Sequence, residues 1–352
     1  MINIQKVVSV DFDVVKTVAS VGSYKKVLYI GNDNDADVIK IYENCGGVNG
    51  ASNVIVKAAS EFNLTTISDE KQKVSGTDND FIFVCFSNAI SAALSANNLQ
   101  AMCEFNASHK VIPCLSLTIS QYSTVIGGSD QPDRYTKYPV AIKLIEDDDT
   151  RPLALSIPAY YSNIQLDYAQ SLRDYSYTEE PSDYEVAVQD SLFDTYVKSV
   201  NFVSKIGNKY VNFGGNLGNG VAITAQFGAI AAENDITWAV LNTILAKQYL
   251  TNEGLNNVIA SINSCLTRYT YNGLLEQNSV YTGDTYVSTT NPPITLIKKG
   301  ARLPQGYYVA RIPMSRLTPA ERAARKFTPI YVFMQTQSGA RVVEIKGTII
   351  DN

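Results

Sequence analysis

The sequence LPQGYYVARIPMSRLTPAERAARKFTPIYVFMQTQSGARVVEIKGTIIDN (residues 303–352) carries the clearest fold signals in the chain. Residues 307–312 alternate bulky and smaller side chains, which is typical of a β-strand, and Pro313 ends the run. A second strand-forming stretch, residues 330–336, can pair with residues 341–348 across a Ser-Gly turn. In that register one face of the hairpin is buried in the core and the other is partly exposed to solvent. We therefore expect the end of the chain to be largely sheet.

A short helix is predicted between these strands. Thr318 is a good N-cap, Pro319 suits the first helical position, and Glu321 completes a Thr-x-x-Glu capping box. The helix should span about nine residues, 318–326, and Glu321 can pair with Arg325. Three alanines on one face should let the helix lie close on its own sheet, so that its basic side chains point away: Ala320, Ala323 and Ala324.

Both ends of the sequence look like strand arms without a local partner. In the predicted hairpin the last residues run past Pro329, which has no N–H to offer, and the N-terminus alternates apolar and polar residues. The arm residues are Ile2, Ile4, Val8, Val10, Thr348, Ile349 and Ile350. Exposed strand edges can template a neighbour's strand, although the residues alone favour pairing of the two arms within one subunit.

Between the arms, the pattern alternates strands and helices, which predicts an α/β layer with a largely parallel sheet. Strands are expected at residues 27–30, 80–85, 111–118, 140–145 and 153–157, and helices at 38–42, 54–62 and 88–103. Residues 120–137 and 158–181 are interpreted as surface loops. A helix over 192–207, strands at 209–213 and 221–227, and two long helices with stripes at 238–245 and 255–269 complete the prediction.

Composition and charge limit the possible functions. A chain of 352 residues predicts about two domains, and five scattered cysteines indicate reduced thiols. We find no secretory signal pattern and no membrane-spanning run, so we expect no export by the usual route. Residues 130–194 carry fourteen acidic against five basic side chains, whereas residues 298–352 carry ten basic against three acidic. The basic end either docks on an acidic partner or is a solvated face.

Catalytic and metal-binding motifs are not evident in the sequence. His109 is the only histidine, and with Cys103 and Cys114 it lacks a fourth ligand for zinc. The turn after residue 30 has one glycine where a dinucleotide site needs three, and residues 214–220 are Gly-rich without Lys or Arg. We therefore expect no cofactor, no metal and no enzymatic activity. The acidic balance of the whole chain also argues against nucleic acid.

Several segments resemble the contractile bacteriophage tail sheath proteins of the compact tail-sheath-like family. They are VNFGGNLGNGVAIT (211–224), DITW (235–238), NGL (272–274), RLTPAERAAR (316–325) and the closing stretch VVEIKGTII (342–350). The resemblance covers roughly the last 150 residues well and the α/β middle only by architecture.

This resemblance implies an α/β (α+β overall) fold with two parts. Residues 1–22 and 228–352 would form an assembly domain, with two helices packed on a sheet of N- and C-terminal strands. Residues 23–227 would form a central α/β domain that faces outward. Arg322, Arg325 and Lys326 would contact an inner tube.

The implied function is structural. Exchanged arms would join hexameric rings into a helical sheath around an inner tail tube, and contraction would drive that tube through the host envelope. Baseplate and tail terminator proteins would be further partners, with no nucleic acid or membrane. The expected location is the virion tail, after synthesis in the bacterial host cytoplasm. Another self-assembling tail component, a tube or baseplate protein, is the alternative.

Overall fold

A five-stranded parallel sheet lies at the centre of the computed structural model. The structure describes residues 26–61, 63–74, 80–93, 110–125, 139–163, 172–174, 177–189, 193, 196, 198–246, 248–271 and 274–336. The strand order is β2-β1-β3-β4-β5 and every pair is parallel. The strands are β1 (Lys26–Ile30), β2 (Val54–Lys57), β3 (Phe81–Phe86), β4 (Ile112–Thr118) and β5 (Ala141–Ile145). The predicted parallel α/β layer is thus confirmed.

Helices and loops cover both faces of this sheet. The helices are α1 (Asp35–Asn44), α2 (Gly50–Asn53), α3 (Leu64–Val74), α4 (Asn88–Ala93), α5 (Ile119–Val125) and α6 (Ser156–Asn163). Every residue of β3, β4 and β5 is buried, which explains why these strands are largely apolar in sequence. The buried apolar side chains of the sheet divide between two separate cores.

Several local predictions in this region are wrong. Val54–Lys57 is strand β2 rather than the start of a helix over 54–62, because its Val-Ile-Val run pairs along the edge of β1. Leu153–Leu155 is a 3-10 turn that leads into α6, not a strand over 153–157. The Ala154 backbone N–H donates to Ser116 Oγ at 2.7 Å, so this segment packs against β4 instead of extending the sheet.

A second, antiparallel sheet adjoins β5. It has the order β6-β8-β7, from β6 (Leu172–Asp174), β7 (Phe202–Ile206) and β8 (Lys209–Phe213). The helix predicted over 192–207 is therefore wrong at its C-terminal end, where Phe202–Ile206 pairs with β8. Residues 158–181 are also not a simple surface excursion, because Tyr161 and Tyr177 are buried.

Two long antiparallel helices join the parallel sheet to the C-terminal part of the chain. They are α7 (Ile223–Leu245) and α8 (Asn252–Tyr271). The strand predicted at 221–227 is wrong, because α7 begins at Ile223 and its first half is buried on all sides. Phe227 of α7 stacks on Phe83 of β3, with ring centroids 5.3 Å apart. The helix pair therefore belongs to the core of the parallel sheet as well as to the C-terminal sheet.

The C-terminal part consists of short antiparallel strands. They are β9 (Ser279–Val280), β10 (Tyr286–Val287), β11 (Thr295–Ile297), β12 (Arg302–Leu303), β13 (Tyr307–Arg311) and β14 (Ile330–Met334), with the helix α9 (Pro319–Ala323) between the last two. In the described residues, β14 pairs with β13, from Tyr307↔Met334 to Arg311↔Ile330. The predicted hairpin partner at 341–348 lies outside the described residues.

Candidate assembly surface

The β13–β14 ribbon has a layer on each face. On one face Tyr307 packs against α8, and its hydroxyl lies 3.0 Å from Thr267 Oγ1. On the other face the ring of Phe333 lies 5.6 Å from Tyr281 and 5.7 Å from Tyr286. The small strands of residues 279–303 cover this face only in part, and Tyr308 on it is 46% exposed, so the face is partly exposed to solvent as predicted. The sequence gives little sign of this layer because its strands are only two or three residues long.

The outer edge of β13 is open in the described structure. Gln335 N donates to Gly306 O at 2.7 Å and Ile312 N to Pro329 O at 3.4 Å. Backbone pairing alternates along an antiparallel strand, so the amide and carbonyl groups of Val309 and Arg311 point away from β14. These outward groups line a groove of about 280 Å³ between α8 and β11. No β-ladder joins β11 to β13 among the described residues.

Helix α9 confirms the predicted cap but not the predicted length. Thr318 N donates to Glu321 Oε2 at 2.8 Å, and Glu321 N donates to Thr318 Oγ1 at 3.2 Å. The hydrogen bond from the Thr318 backbone, together with that from its hydroxyl, lowers the pKa of Glu321. The helix spans five residues rather than nine, because Ala324 caps it and Arg325 adopts a φ of 54°.

The predicted contacts of this helix with its own sheet are wrong. All residues from 318 to 326 are exposed, including the three alanines that were expected to pack inward. Glu321 forms no ion pair with Arg325, because the early end of the helix removes the i,i+4 geometry and the Glu321 carboxylate caps the helix instead. The alanine face is therefore uncovered within the described chain.

The exposed helix is nevertheless anchored at both ends. Leu317 before it and Phe327 after it pack in an apolar cluster with Leu255 of α8 and Met314. Thr328 Oγ1 donates to Ile312 O at 2.5 Å and fixes the return to β14. The protein thus presents a short, capped and solvent-exposed helix on a fixed base.

The three predicted tube-contact residues lie together on this exposed segment. Arg322 Nη2 donates to Met314 O at 3.1 Å, which holds its guanidinium near the base of the helix. Among the described residues, neither Arg325 nor Lys326 forms an ion pair. Residues 311–336 contain Glu321 as their one acid, and it is engaged in the cap. The segment is therefore a concentrated positive surface.

The predicted arm residues cannot be placed, because residues 1–25 and 337–352 lie outside the described residues. The same holds for His109 and Cys103. Within the described ranges no group of three His, Cys, Asp or Glu side chains could hold a metal ion. Four cysteines there are buried free thiols: Cys45, Cys85, Cys114 and Cys265. No described helix combines the length and apolar character needed to span a membrane.

Sequence reasoning missed a buried polar network that ties α7 to the start of β3. Lys71 Nζ lies 2.5 Å from Asp80 Oδ1 and donates to Phe81 O at 2.5 Å. Asn234 Nδ2 of α7 donates to the other Asp80 oxygen at 3.0 Å. Burial lowers the pKa of Lys71, with Asp80 acting in the opposite direction. No sequence motif marks this network, because Asp80 and Asn234 are 154 residues apart.

A comparison with solved structures identifies the fold. The chain is similar to the anti-feeding prophage (AFP) helical sheath in its contracted state, with a TM-score of 0.59, 14% identity and 97% of each chain covered. It is also similar to the PVC sheath complex of an extracellular contractile injection system in its contracted state. That match has a TM-score of 0.59 and 11% identity, and covers 97% of this chain and 96% of the other.

These matches confirm the sheath-like fold that the sequence resemblance implied. The chain thus has the mixed α/β fold of contractile sheath proteins along nearly its whole length. The first of these structures is the helical sheath of an anti-feeding prophage, and the second is the sheath complex of an extracellular contractile injection system. The sequence itself matches no protein-family profile and no curated protein.

Proposed function

We propose that this protein is the sheath subunit of a contractile tail or a related injection device. Its copies polymerise as stacked hexameric rings around an inner tube, and contraction of the polymer drives the tube through a host envelope. The observation that carries this proposal is the sheath fold over 97% of the chain. Baseplate and terminator proteins would cap the two ends of the polymer. The sheath would form in the bacterial cytoplasm and act in the virion tail or an equivalent particle.

Purified protein should therefore form hollow cylinders, which negative-stain microscopy would detect. Residues 23–227 are proposed to face outward, so an epitope inserted between Asp147 and Asp148 should be bound by antibody on the outside of the cylinders. Both residues are exposed, whereas Asp149 is held by Arg151 at 2.7 Å and should be left intact. Monodisperse protein without cylinders at high concentration would argue against a sheath, and antibody bound only at cylinder ends would argue against the outward placement.

Subunits are proposed to be joined by exchanged strand arms. The open edge of β13 supports this, because Val309 and Arg311 offer outward backbone groups within a groove that a single strand can enter. Strand addition satisfies these groups and buries apolar side chains of the incoming arm. The donor is Ile2 to Val10 or Thr348 to Ile350 of a neighbouring subunit.

Deletion of residues 1–6 and 347–352 should abolish cylinders while leaving the circular dichroism spectrum of the monomer close to that of the intact protein. A second variant, Val309→Pro, removes one outward amide donor on the receiving edge and should weaken polymerisation in the same assay. Cylinders of normal length from the deletion variant would show that arm exchange is not what joins the subunits.

The positive segment around α9 is proposed to contact the inner tube. Exposed cations that form no internal ion pair can meet acidic groups of a partner, and each exposed pair contributes about 0.2–1 kcal/mol. Repetition over many subunits makes such weak contacts strong in total. The sheath can then hold the tube and still release it during contraction.

Reversal of two charges, Arg325→Glu with Lys326→Glu, should leave folding and sheath-only cylinders intact and abolish binding to isolated inner tubes at moderate salt. Neither side chain has an internal ion pair among the described residues, so little native structure is lost. The matched control is Lys298→Glu with Arg302→Glu, which makes the same change in net charge at two other exposed cations of the basic end that form no ion pair among the described residues. Equal tube binding by the two double variants would contradict the proposed contact.

A further inference from the structure

The loop between α7 and α8 presents one large aromatic side chain to solvent. Tyr249 is 80% exposed, which places it among the most exposed large apolar residues of the described chain. Single exposed tyrosines are common and carry little meaning alone. Residues 248–251 contact α8 and its neighbours, however, and this combination of a backbone in contact with α8 and an exposed ring is the feature of interest.

Contacts on both sides of Tyr249 connect residues 248–251 to α8 and its neighbours. Asn257 Nδ2 donates to Gln248 Oε1 at 2.9 Å, and Thr251 N donates to Tyr249 O at 2.8 Å. Leu250 packs in the apolar cluster of Leu255 and Met314. The ring of Tyr249 is therefore displayed from an ordered backbone, which lowers the conformational entropy lost when a partner binds.

The loop also adjoins the positive segment. A Cβ atom at Gly254 would lie 2.0 Å from Tyr249 O and 3.4 Å from Phe327 Cζ, so the Tyr249 backbone and the Phe327 ring are neighbours across this glycine. Phe327 directly follows Lys326. In addition, Asn252 Oδ1 accepts a hydrogen bond from Met314 N, and Met314 O accepts one from Arg322. Tyr249 and the cations thus belong to one continuous surface.

We propose that Tyr249 is the aromatic anchor of the surface that binds the inner tube, with Arg322, Arg325 and Lys326 as its charged rim. This inference rests on the proposed sheath function and names the chemistry of the partner: an acidic protein surface with an apolar recess. Tyrosine and arginine are among the residues that most often carry interface energy, and charge alone would give weak, salt-sensitive contacts. An aromatic anchor supplies the part of the affinity that salt does not screen.

The test compares Tyr249→Ala with Tyr271→Ala. Tyr271 is 81% exposed and ends α8, about 30 Å along that helix from the Tyr249 loop. Both variants should form sheath-only cylinders. Binding to inner tubes freed of sheath, measured by co-sedimentation, should fall about tenfold or more for Tyr249→Ala and stay unchanged for Tyr271→Ala.

Salt dependence separates the two parts of the surface. Tyr249→Ala should lower the affinity for tubes equally at every salt concentration. Arg325→Gln should instead make the affinity depend less steeply on salt concentration. Tyr249→Phe should retain most of the binding, because the ring provides the contact. Equal tube binding by the two alanine variants would overturn this inference but leave the proposed sheath function standing. Wild-type protein that never forms cylinders would overturn both. If the protein binds a DNA duplex and not tubes, and Tyr249→Ala weakens that DNA binding, the assignment of an acidic protein partner is overturned.

Discussion

Replacement of Lys71 by Met is expected to destabilise the folded protein by about 3–5 kcal/mol. Lys71 and Asp80 are buried and their charged atoms lie 2.5 Å apart. Without the ammonium group, the Asp80 carboxylate loses the positive charge that lies 2.5 Å away in the interior, while its hydrogen bond from Asn234 remains. The loss is large because the substitution removes the countercharge while the desolvation cost of the carboxylate remains.

Urea unfolding followed by circular dichroism would measure this loss. The control is Lys73→Met on the same helix, whose side chain is 66% exposed and pairs with Glu70 at the surface, so its effect on stability should be small beside that of Lys71→Met. The double variant Lys71→Met with Asp80→Asn should recover much of the stability, because neither charge then remains buried. If Lys71→Met and Lys73→Met have the same effect, the buried pair is not what holds α3 to β3 and α7.

Replacement of Phe227 by Ala is expected to cost about 3–5 kcal/mol through the cavity that it leaves. The Phe227 ring stacks on Phe83 and lies 5.6 Å from Tyr161, at the place where α7 crosses the parallel sheet. Phe227→Leu should lose clearly less, because most of the volume is retained.

The matched control on the same helix is Leu245→Ala, at a side chain that is 68% exposed, and its effect should lie within about 0.5 kcal/mol. Thermal unfolding of the three variants would rank them. Similar midpoints for Phe227→Ala and Leu245→Ala would mean that α7 is not anchored to the sheet by this stack. Together with the Lys71 variant, the series tests how much the contacts between α7 and the parallel sheet stabilise the fold.

The fold class was predictable from the sequence to the extent that its motifs are local. The stretch Arg316 to Arg325 and the Gly-rich turn near residue 215 carried the resemblance to sheath proteins, and the structural comparison confirmed the fold. The same reasoning wrongly predicted that the alanines of the short helix pack against the sheet. Helical spacing in a sequence shows which residues share a face, but not what that face contacts. Whether that face meets the sheet or solvent depends on where Leu317 and Phe327 anchor the segment.

Tertiary contacts also decided the features on which the proposals depend. The absence of a side chain at Gly254 lets the Tyr249 carbonyl approach α8 beside Phe327, and no pattern in residues 246–251 predicts this contact. Likewise, β14 has a strand pattern that fits several partners, and the open edge of β13 is visible only once the ribbon and its two covering layers are in place.

The sequence by itself determined the elements whose signals are local and strong. Largely apolar runs specified β3, β4 and β5, a helical stripe specified α8, and Thr318 with Glu321 specified the cap of α9. Short apolar runs such as residues 54–57 and 202–206 fit a helix or a strand equally well on periodicity. Only the tertiary structure decided them, because their backbone amides find partners on β1 and β8, and that long-range pairing outweighs a weak local preference.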